Sequence, residues 1–220
     1  MNYFSHFLID YKHELPYYNS ALILPDITKK WVKSFNHPLP ITNPLHQQLL
    51  QGCLQHYKSD KQFHSSAFFD KYFLLINTEF KKEIFSESLN RKWFIAHIAL
   101  ELLIDRVFAR YFSEKLDLFY SNLNKIDTQI LLEFLTNYGL INPNEFLTFF
   151  NHFRSIQYIY YYTDNNRFIY SLSKVMTRVG IKEIGKKDAE KLLTIILHIE
   201  TNYMNNPTAL LNELKAIFTQ

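Results

Sequence analysis

The chain has 220 residues, of which 47% are hydrophobic and 17% are aromatic. This composition supplies a sizeable core, and it excludes a disordered chain, a collagen-like repeat and a small disulfide-stapled scaffold. The 24 Lys and Arg residues against 21 Asp and Glu residues give a net charge of +3, too weakly basic to indicate nucleic-acid binding. The length predicts one domain spanning residues 1–220. The candidate site residues described below all lie in 1–112, and residues 113–220 are expected to pack against that part.

Cysteine and glycine are both scarce. Cys53, the single cysteine, cannot form an internal disulfide, so we expect a reducing, cytoplasmic location. The four glycines include no phosphate-binding or dinucleotide-binding motif. The N-terminal apolar stretch is interrupted by His6 and Asp10 and lacks a basic leader, so no signal peptide is expected. The most apolar segment, Trp93–Ile104, has about twelve residues where a membrane span needs about 20, which predicts a buried helix.

The predicted elements are helical throughout. Five of the seven prolines lie in the first 44 residues, which predicts short helices and turns there. After residue 44, apolar residues recur about every 3.6 positions, as on the buried face of a helix. The helices predicted in this part are His46–Leu74, Ser66–Phe85 as a second helix or a continuation, Asn90–Phe112, Thr128–Tyr138, 142–162, Arg167–Val179, Lys187–Tyr203 and Pro207–Phe218. Turn and alternation patterns typical of strands are absent from the sequence, so we predict an all-α protein of about seven to nine helices.

Several helix ends carry local signals. Asp127 is a predicted N-cap, because its carboxylate can accept hydrogen bonds from the first free backbone amides of the following helix. Gly139 and Gly180 are predicted C-terminal stops, since glycine adopts the left-handed conformation that ends many helices. Pro143 fits the first turn of a helix, where no backbone donor is needed.

Four triplets of metal-ligand residue types recur at every fourth position, and two of them are candidates for a site: His56, Asp60 and His64, and His97, Glu101 and Asp105. On a helix, a step of four residues drifts by about 40° and rises by about 6 Å, so each triplet forms one polar stripe. The ends of a stripe lie about 12 Å apart, so one ion cannot bind all three residues. We therefore expect an ion to take a pair of residues from each helix, with the third residue supporting them, binding a second ion or contacting substrate.

The second triplet lies in the most apolar segment of the chain. An unpaired carboxylate costs several kcal/mol when it is buried, so Glu101 and Asp105 are expected to meet a cation. That cation is either a metal ion or an arginine, and in the second case His97 would only be hydrogen-bonded in the core. The arginines available for such a network are Arg106, Arg110 and Arg154.

Further residues have an ordinary structural explanation beside a functional one. His6 lies in an apolar run, where a single inward histidine is more often a core residue than a ligand. Asp26 follows Pro25, and its alternative role is the N-cap of a helix over Ile27–Val32. Three basic residues can hold phosphate, although each alone is typical of surface charge: Lys58, Lys61 and Arg91.

The opening segment 1–7, the apolar run that ends at Asp26, the His56–Asp60 pair and the segment 105–112 preceded by Glu101 resemble the acyl carrier protein phosphodiesterase family. The resemblance implies an all-helical fold distantly similar to the histidine–aspartate metal phosphohydrolases. It also implies a divalent ion, typically manganese, and hydrolysis of the phosphodiester that joins phosphopantetheine to a serine of acyl carrier protein.

By this resemblance, five residues match polar positions of the family pattern: His6, Asp26, His56, Asp60 and Asp105. Glu101 and His64 stand where the family has Asp, and His97 is additional. Leu22 lies near the place of an expected Asn, and Tyr57 replaces the usual Arg. A set of ligands richer in histidine favours Zn²⁺, Fe or Mn²⁺ over Mg²⁺.

These patterns together predict metal-dependent phosphodiester hydrolysis by metal-activated water. One or two ions are expected at His56, Asp60, His97 and Glu101, with His6, Asp26 and His64 as further ligands. Asp60 or Asp105 would orient the water or protonate the leaving oxygen. The expected partner is acyl carrier protein or another phosphorylated or acidic substrate, without nucleic acid or membrane, and the oligomeric state stays open.

Two other functions fit the same residues. One is a non-catalytic helical module that binds a protein partner and whose polar stripes are salt-bridged in the core. The other is a helix-bundle metalloprotein resembling the DinB-like thiol-transferase group, in which His56, His64 and His97 share one ion. Metal content distinguishes the binding module from the two metal-dependent functions. Replacing His56 or His64 singly, with metal content and activity measured, distinguishes the hydrolase from the DinB-like metalloprotein.

Overall fold

The computed structural model describes residues 1–37, 39–86, 89, 91–178 and 180–219. These ranges form twelve α-helices and one 3₁₀ helix without a strand, which confirms the predicted all-α class and exceeds the predicted number of helices. The helices are α1 Tyr3–Asp10, α2 Pro16–Ala21, α3 Leu24–Ile27, α4 Pro44–His64, α5 Ala67–Lys82, α6 Lys92–Tyr111, α7 Ser113–Asn124, α8 Thr128–Asn137, α9 Pro143–Ile156, the 3₁₀ helix Tyr158–Thr163, α10 Asn165–Arg178, α11 Lys186–Tyr203 and α12 Pro207–Ala216. Within the described ranges, no helix has both the length and the apolar character that a bilayer crossing requires.

The predicted helix ends are largely confirmed. The Asp127 carboxylate accepts hydrogen bonds from the backbone amides that open α8, at 2.7 Å for the closer one. Gly139 and Gly180 have φ angles of +78° and +81°, the left-handed conformation expected of helix stops. The predicted boundary residues Asn90 and Val179 lie outside the described residues.

Three predictions about the helices were wrong, and one helix was not predicted. The stretch His46–Leu74 is not one helix, because α4 ends at His64 and the Ser66 hydroxyl caps α5; of the two alternatives for Ser66–Phe85, the second helix is the one found. The helix predicted through Tyr162 ends at Ile156, where the left-handed Gln157 precedes the 3₁₀ helix. Helix α7 was not predicted at all. Asp26 is not an N-cap either, since it lies within α3.

The chain divides into two compact units, and the prediction of one domain over residues 1–220 stays a prediction. The first unit comprises Met1, 3–61 and 112–158, and so contains α1–α3, most of α4, and α7–α9. Helix α7 packs against α1, α2 and α9. Its Phe119 ring lies edge-on to Phe4 and Phe7 of α1, with centroids 6.2 and 5.4 Å apart. This aromatic core fixes α1 and α2.

The second unit comprises Asn2, 62–111 and 159–220. Helix α6 is its centre, since it packs against α5, α10, α11 and α12 and buries thirteen of its residues. The fully buried Arg106 guanidinium donates to the Glu200 carboxylate at 2.9 Å and to the Tyr162 carbonyl at 2.7 Å. The predicted burial of α6 is therefore confirmed, and its buried Arg106 is paired with the Glu200 carboxylate.

Candidate metal centres

Metal-ligand side chains come together in two groups within the described part of the chain. The first cluster is His6, Asp26 and His56, and the second cluster is His64, His97 and Glu101. Within each cluster, one ligand atom from each residue lies within 4.8 Å of the others. The predicted stripe of α4 is therefore divided, because His56 belongs to one cluster and His64 to the other. The expected sharing of one ion by a residue pair from each of two helices is not the arrangement found.

The first cluster is assembled from three helices of the first unit. His6 of α1 is fully buried, His56 of α4 is 3% exposed, and Asp26 of α3 is partly accessible. The two imidazole rings stack with centroids 4.1 Å apart. The Nε2 atom of His56 lies 3.8 Å from the Asp26 carboxylate. Two histidines and one carboxylate that are distant in sequence thus face one another.

The tautomer of His56 follows from its second ring nitrogen. Nδ1 of His56 lies 2.8 Å from the backbone carbonyl oxygen of Leu22. A carbonyl oxygen only accepts hydrogen bonds, so Nδ1 must carry the proton and donate it. In the neutral imidazole, the lone pair is then on Nε2, the nitrogen that faces Asp26. Metal-binding histidines are commonly oriented by such a hydrogen bond.

Gly52 brings α4 close enough to α2 for this hydrogen bond to form. A Cβ atom at Gly52 would lie 2.4 Å from the Tyr18 carbonyl oxygen and 2.6 Å from the Ala21 Cβ. His56 follows Gly52 by about one helical turn, next to the end of α2. Gly52 had not been singled out in the sequence. Its signal was a glycine inside a helical pattern, which costs about 1 kcal/mol relative to alanine and so indicates a packing requirement.

Two further carboxylates lie around the first cluster. Asp60 has an oxygen 3.9 Å from Nε2 of His6 and accepts a hydrogen bond from the Met1 α-amino group at 2.7 Å. Asp60 is therefore a neighbour of the first cluster and not a member of it, and its side chain is 37% exposed. Asp10 accepts hydrogen bonds from Gln55 and Ser59, and burial raises its pKa despite these bonds.

Lys29 is the basic residue that the structure places at the first cluster. Its Nζ atom lies 2.6 Å from the Asp26 carboxylate, and its side chain is 75% exposed. Partial burial acts to lower the pKa of Lys29, but the carboxylates of Asp26 and Asp60 outweigh it and the pKa is raised. Lys29 had not been singled out in the sequence, although its spacing of three from Asp26 is that of a helical ion pair. The predicted phosphate-binding residues are exposed: Lys58, Lys61 and Arg91.

The second cluster lies at the end of α4 and on α6. Nε2 of His64 and Nε2 of His97 are 3.0 Å apart, and each is 3.0 Å from Oε1 of Glu101. Burial would raise the pKa of Glu101, but the positive charge of the chain's N-terminal amino group and then the hydrogen bonds to both histidines outweigh it, so the pKa lies well below its usual value. The side chains are 19% to 31% exposed, so the cluster is accessible from solution.

The arginines proposed as an alternative have other partners. Arg106 and Arg110 both form ion pairs with Glu200, and Arg154 donates to the Ile126 carbonyl. The three-histidine arrangement is not found either, since His56 is grouped apart from His64 and His97. Asp105 is fully buried and belongs to neither cluster, so its catalytic role stays a prediction.

No family model, curated protein or solved structure matches this chain. Membership of the acyl carrier protein phosphodiesterase family therefore stays a prediction from the sequence resemblance.

Proposed function

We propose that this protein is a metal-dependent phosphodiester hydrolase whose ion binds at the first cluster. The observation that carries the proposal is the His56 imidazole, whose Nδ1 donates to Leu22 and whose Nε2 faces Asp26. A neutral His56 therefore presents a lone pair to the Asp26 carboxylate, and a divalent cation between these two groups would stabilise the arrangement. Two histidines and one carboxylate suit Mn²⁺, Fe²⁺ or Zn²⁺ better than Mg²⁺.

The chemistry divides between the ion and the residues around it. A divalent ion supplies a nucleophilic water at neutral pH and polarises a phosphate oxygen. His6, Asp26 and His56 hold the ion. Asp60, beside His6, accepts a proton from the attacking water or donates one to the leaving oxygen. Lys29 neutralises the charge of the substrate phosphate at the exposed side of the cluster.

The proposed substrate is a phosphodiester carried by an acidic protein. The resemblance implies the bond between phosphopantetheine and a serine of acyl carrier protein. A net charge of +3 favours encounter with an acidic carrier, although this steering is modest at physiological salt. Acyl carrier protein bearing phosphopantetheine is therefore the natural substrate to test after a generic diester.

Hydrolysis of bis(p-nitrophenyl) phosphate by the metal-stripped full chain, with and without added Mn²⁺, tests the proposal. We expect activity that depends on Mn²⁺ and falls by about 100-fold or more in His56→Gln and Asp26→Asn, because each loses a ligand. His13→Gln is the matched control, since the His13 side chain is 81% exposed and lies outside both clusters. Absence of Mn²⁺-dependent hydrolysis in the wild type, or full activity in His56→Gln, would contradict the proposal. In that case the non-catalytic binding module becomes the better account.

A further inference from the structure

The ligand atoms of the second cluster have the geometry of a separate metal site. We propose that His64, His97 and Glu101 bind a six-coordinate divalent ion, Mn²⁺ or Fe²⁺, separately from the ion of the first cluster. The proposal does not depend on the hydrolase activity, because it concerns other residues in the other unit. It differs too from the pattern of the family that the chain resembles, which has neither histidine.

The distances favour six-coordination. The three ligand atoms form a triangle with three edges of 3.0 Å. An ion bonded at about 2.1 Å to three atoms at right angles has edges of about 3.0 Å between them, whereas tetrahedral angles give about 3.4 Å. The triangle therefore matches one face of an octahedron. Two histidines and one carboxylate on such a face are the ligand set of many non-haem iron sites.

Protons alone cannot satisfy these three contacts. Each Nε2 carries at most one hydrogen, and Glu101 is an acceptor when ionised. If both imidazoles donate to Glu101, their protons converge on Oε1, and no proton lies between the two Nε2 atoms, which are only 3.0 Å apart. If one imidazole donates to the other, its proton no longer points at the carboxylate, and the accepting nitrogen has none to give. A divalent ion satisfies all three atoms together, because each then directs a lone pair at it.

The surroundings hold the two rings in place and leave one side accessible. The Phe69 ring lies edge-on to both imidazoles, with its centroid 5.1 Å from each. The spacing of His97 and Glu101, four residues apart on α6, places them on one face of that helix. The partial exposure of all three side chains gives water or an anion such as phosphate access to the other three coordination positions.

Counting bound Mn²⁺ tests this site. The metal-stripped full chain is titrated with Mn²⁺, and free Mn²⁺ is followed by electron paramagnetic resonance. We expect His97→Gln and Glu101→Gln each to bind one ion fewer than the wild type. His198→Gln, which removes an exposed histidine of α11, should bind as many as the wild type. If His97→Gln does not fold, Glu101→Gln makes the same comparison, because it keeps the size of the side chain.

A second readout reports the coordination. Co²⁺ added to His56→Gln, in which the first cluster is disabled, should give the weak visible absorption of six-coordinate cobalt, and Glu101→Gln should abolish this signal. An unchanged Mn²⁺ count in both second-cluster variants, or an intense tetrahedral Co²⁺ spectrum, would overturn this proposal. Failure of the proposed function has a different signature, namely full diester hydrolysis in His56→Gln.

Discussion

The Leu22 carbonyl oxygen, 2.8 Å from Nδ1 of His56, fixes the tautomer of that histidine. The acceptor is a backbone atom, so its position depends on how closely α2 and α4 approach each other. Gly52 sets that approach because it is the point where the two helices touch. The chemistry of the first cluster is thus coupled to a packing contact about one turn away along α4.

Gly52→Ala is expected to destabilise the fold by about 3 kcal/mol, the upper part of the range for overpacked cores, because the added Cβ meets backbone. It should also weaken Mn²⁺ binding at the first cluster, since His56 moves away from Leu22. Urea unfolding measures the first effect. Gly185→Ala is the control: a Cβ there meets nothing within 4 Å, and the change of N-cap costs at most about 1 kcal/mol. Equal stability of the two variants would contradict the role given to Gly52.

Arg106→Ala is expected to lower the free energy of unfolding by about 3 kcal/mol, because it removes a fully buried side chain that is one of two cationic partners of Glu200 and that also donates to the Tyr162 carbonyl. Thermal or urea unfolding followed by circular dichroism measures the loss. The exposed Arg178→Ala should change stability by less than about 0.5 kcal/mol. A loss as small for Arg106 as for Arg178 would show that the buried ion pair contributes little to the fold.

The stability of the wild type relative to Asp10→Asn is expected to fall as the pH rises from about 4 to 7. Burial raises the pKa of Asp10, so the folded state binds this proton more tightly than the unfolded state. The resulting stabilisation is fully present below the pKa of the unfolded state and is lost as the pH rises through the folded pKa. Unfolding free energies of both proteins at several pH values measure the difference. If the unfolding free energy of the wild type rose relative to that of Asp10→Asn with rising pH, the pKa of Asp10 would be lowered in the folded state, which would contradict this assignment.

Lys29→Gln is expected to lower kcat/KM for a phosphodiester about tenfold, because it removes the cation beside Asp26 and leaves the ligands in place. The loss should shrink at high salt, where charge interactions at this exposed position are screened. Lys33→Gln, at another exposed lysine of the same unit, is the control. An equally small loss of kcat/KM in Lys29→Gln and Lys33→Gln would mean that Lys29 acts only through the overall surface charge and does not contact the phosphate.

The sequence predicted those helix ends that are set by a capping side chain or a glycine within the same few residues. The Asp127 cap and the left-handed Gly139 need only their immediate neighbours in the chain. The break between α4 and α5 was left open because apolar spacing continues across it, although Ser66, a good N-cap residue, was one predicted start of a second helix. Helix α7 was missed because it begins after Phe112 without a side-chain cap.

The spacing of residues along the chain could not predict which side chains come together in each cluster. Helical rise explains why His56 and His64 fall in different clusters, but it cannot say which distant residues join them. His6 and Asp26 were named as ligands only through the sequence resemblance. Their approach to His56 depends on the packing of α1, α3 and α4, which no local pattern encodes. Lys29 and Gly52 were missed for the same reason.

The most direct test of the central claim is a crystal of the full chain grown with Mn²⁺ and measured at wavelengths on both sides of the manganese absorption edge. The account predicts an anomalous difference peak within bonding distance of Nε2 of His56, the Asp26 carboxylate and the His6 ring. With saturating Mn²⁺, no peak at these three side chains would contradict it.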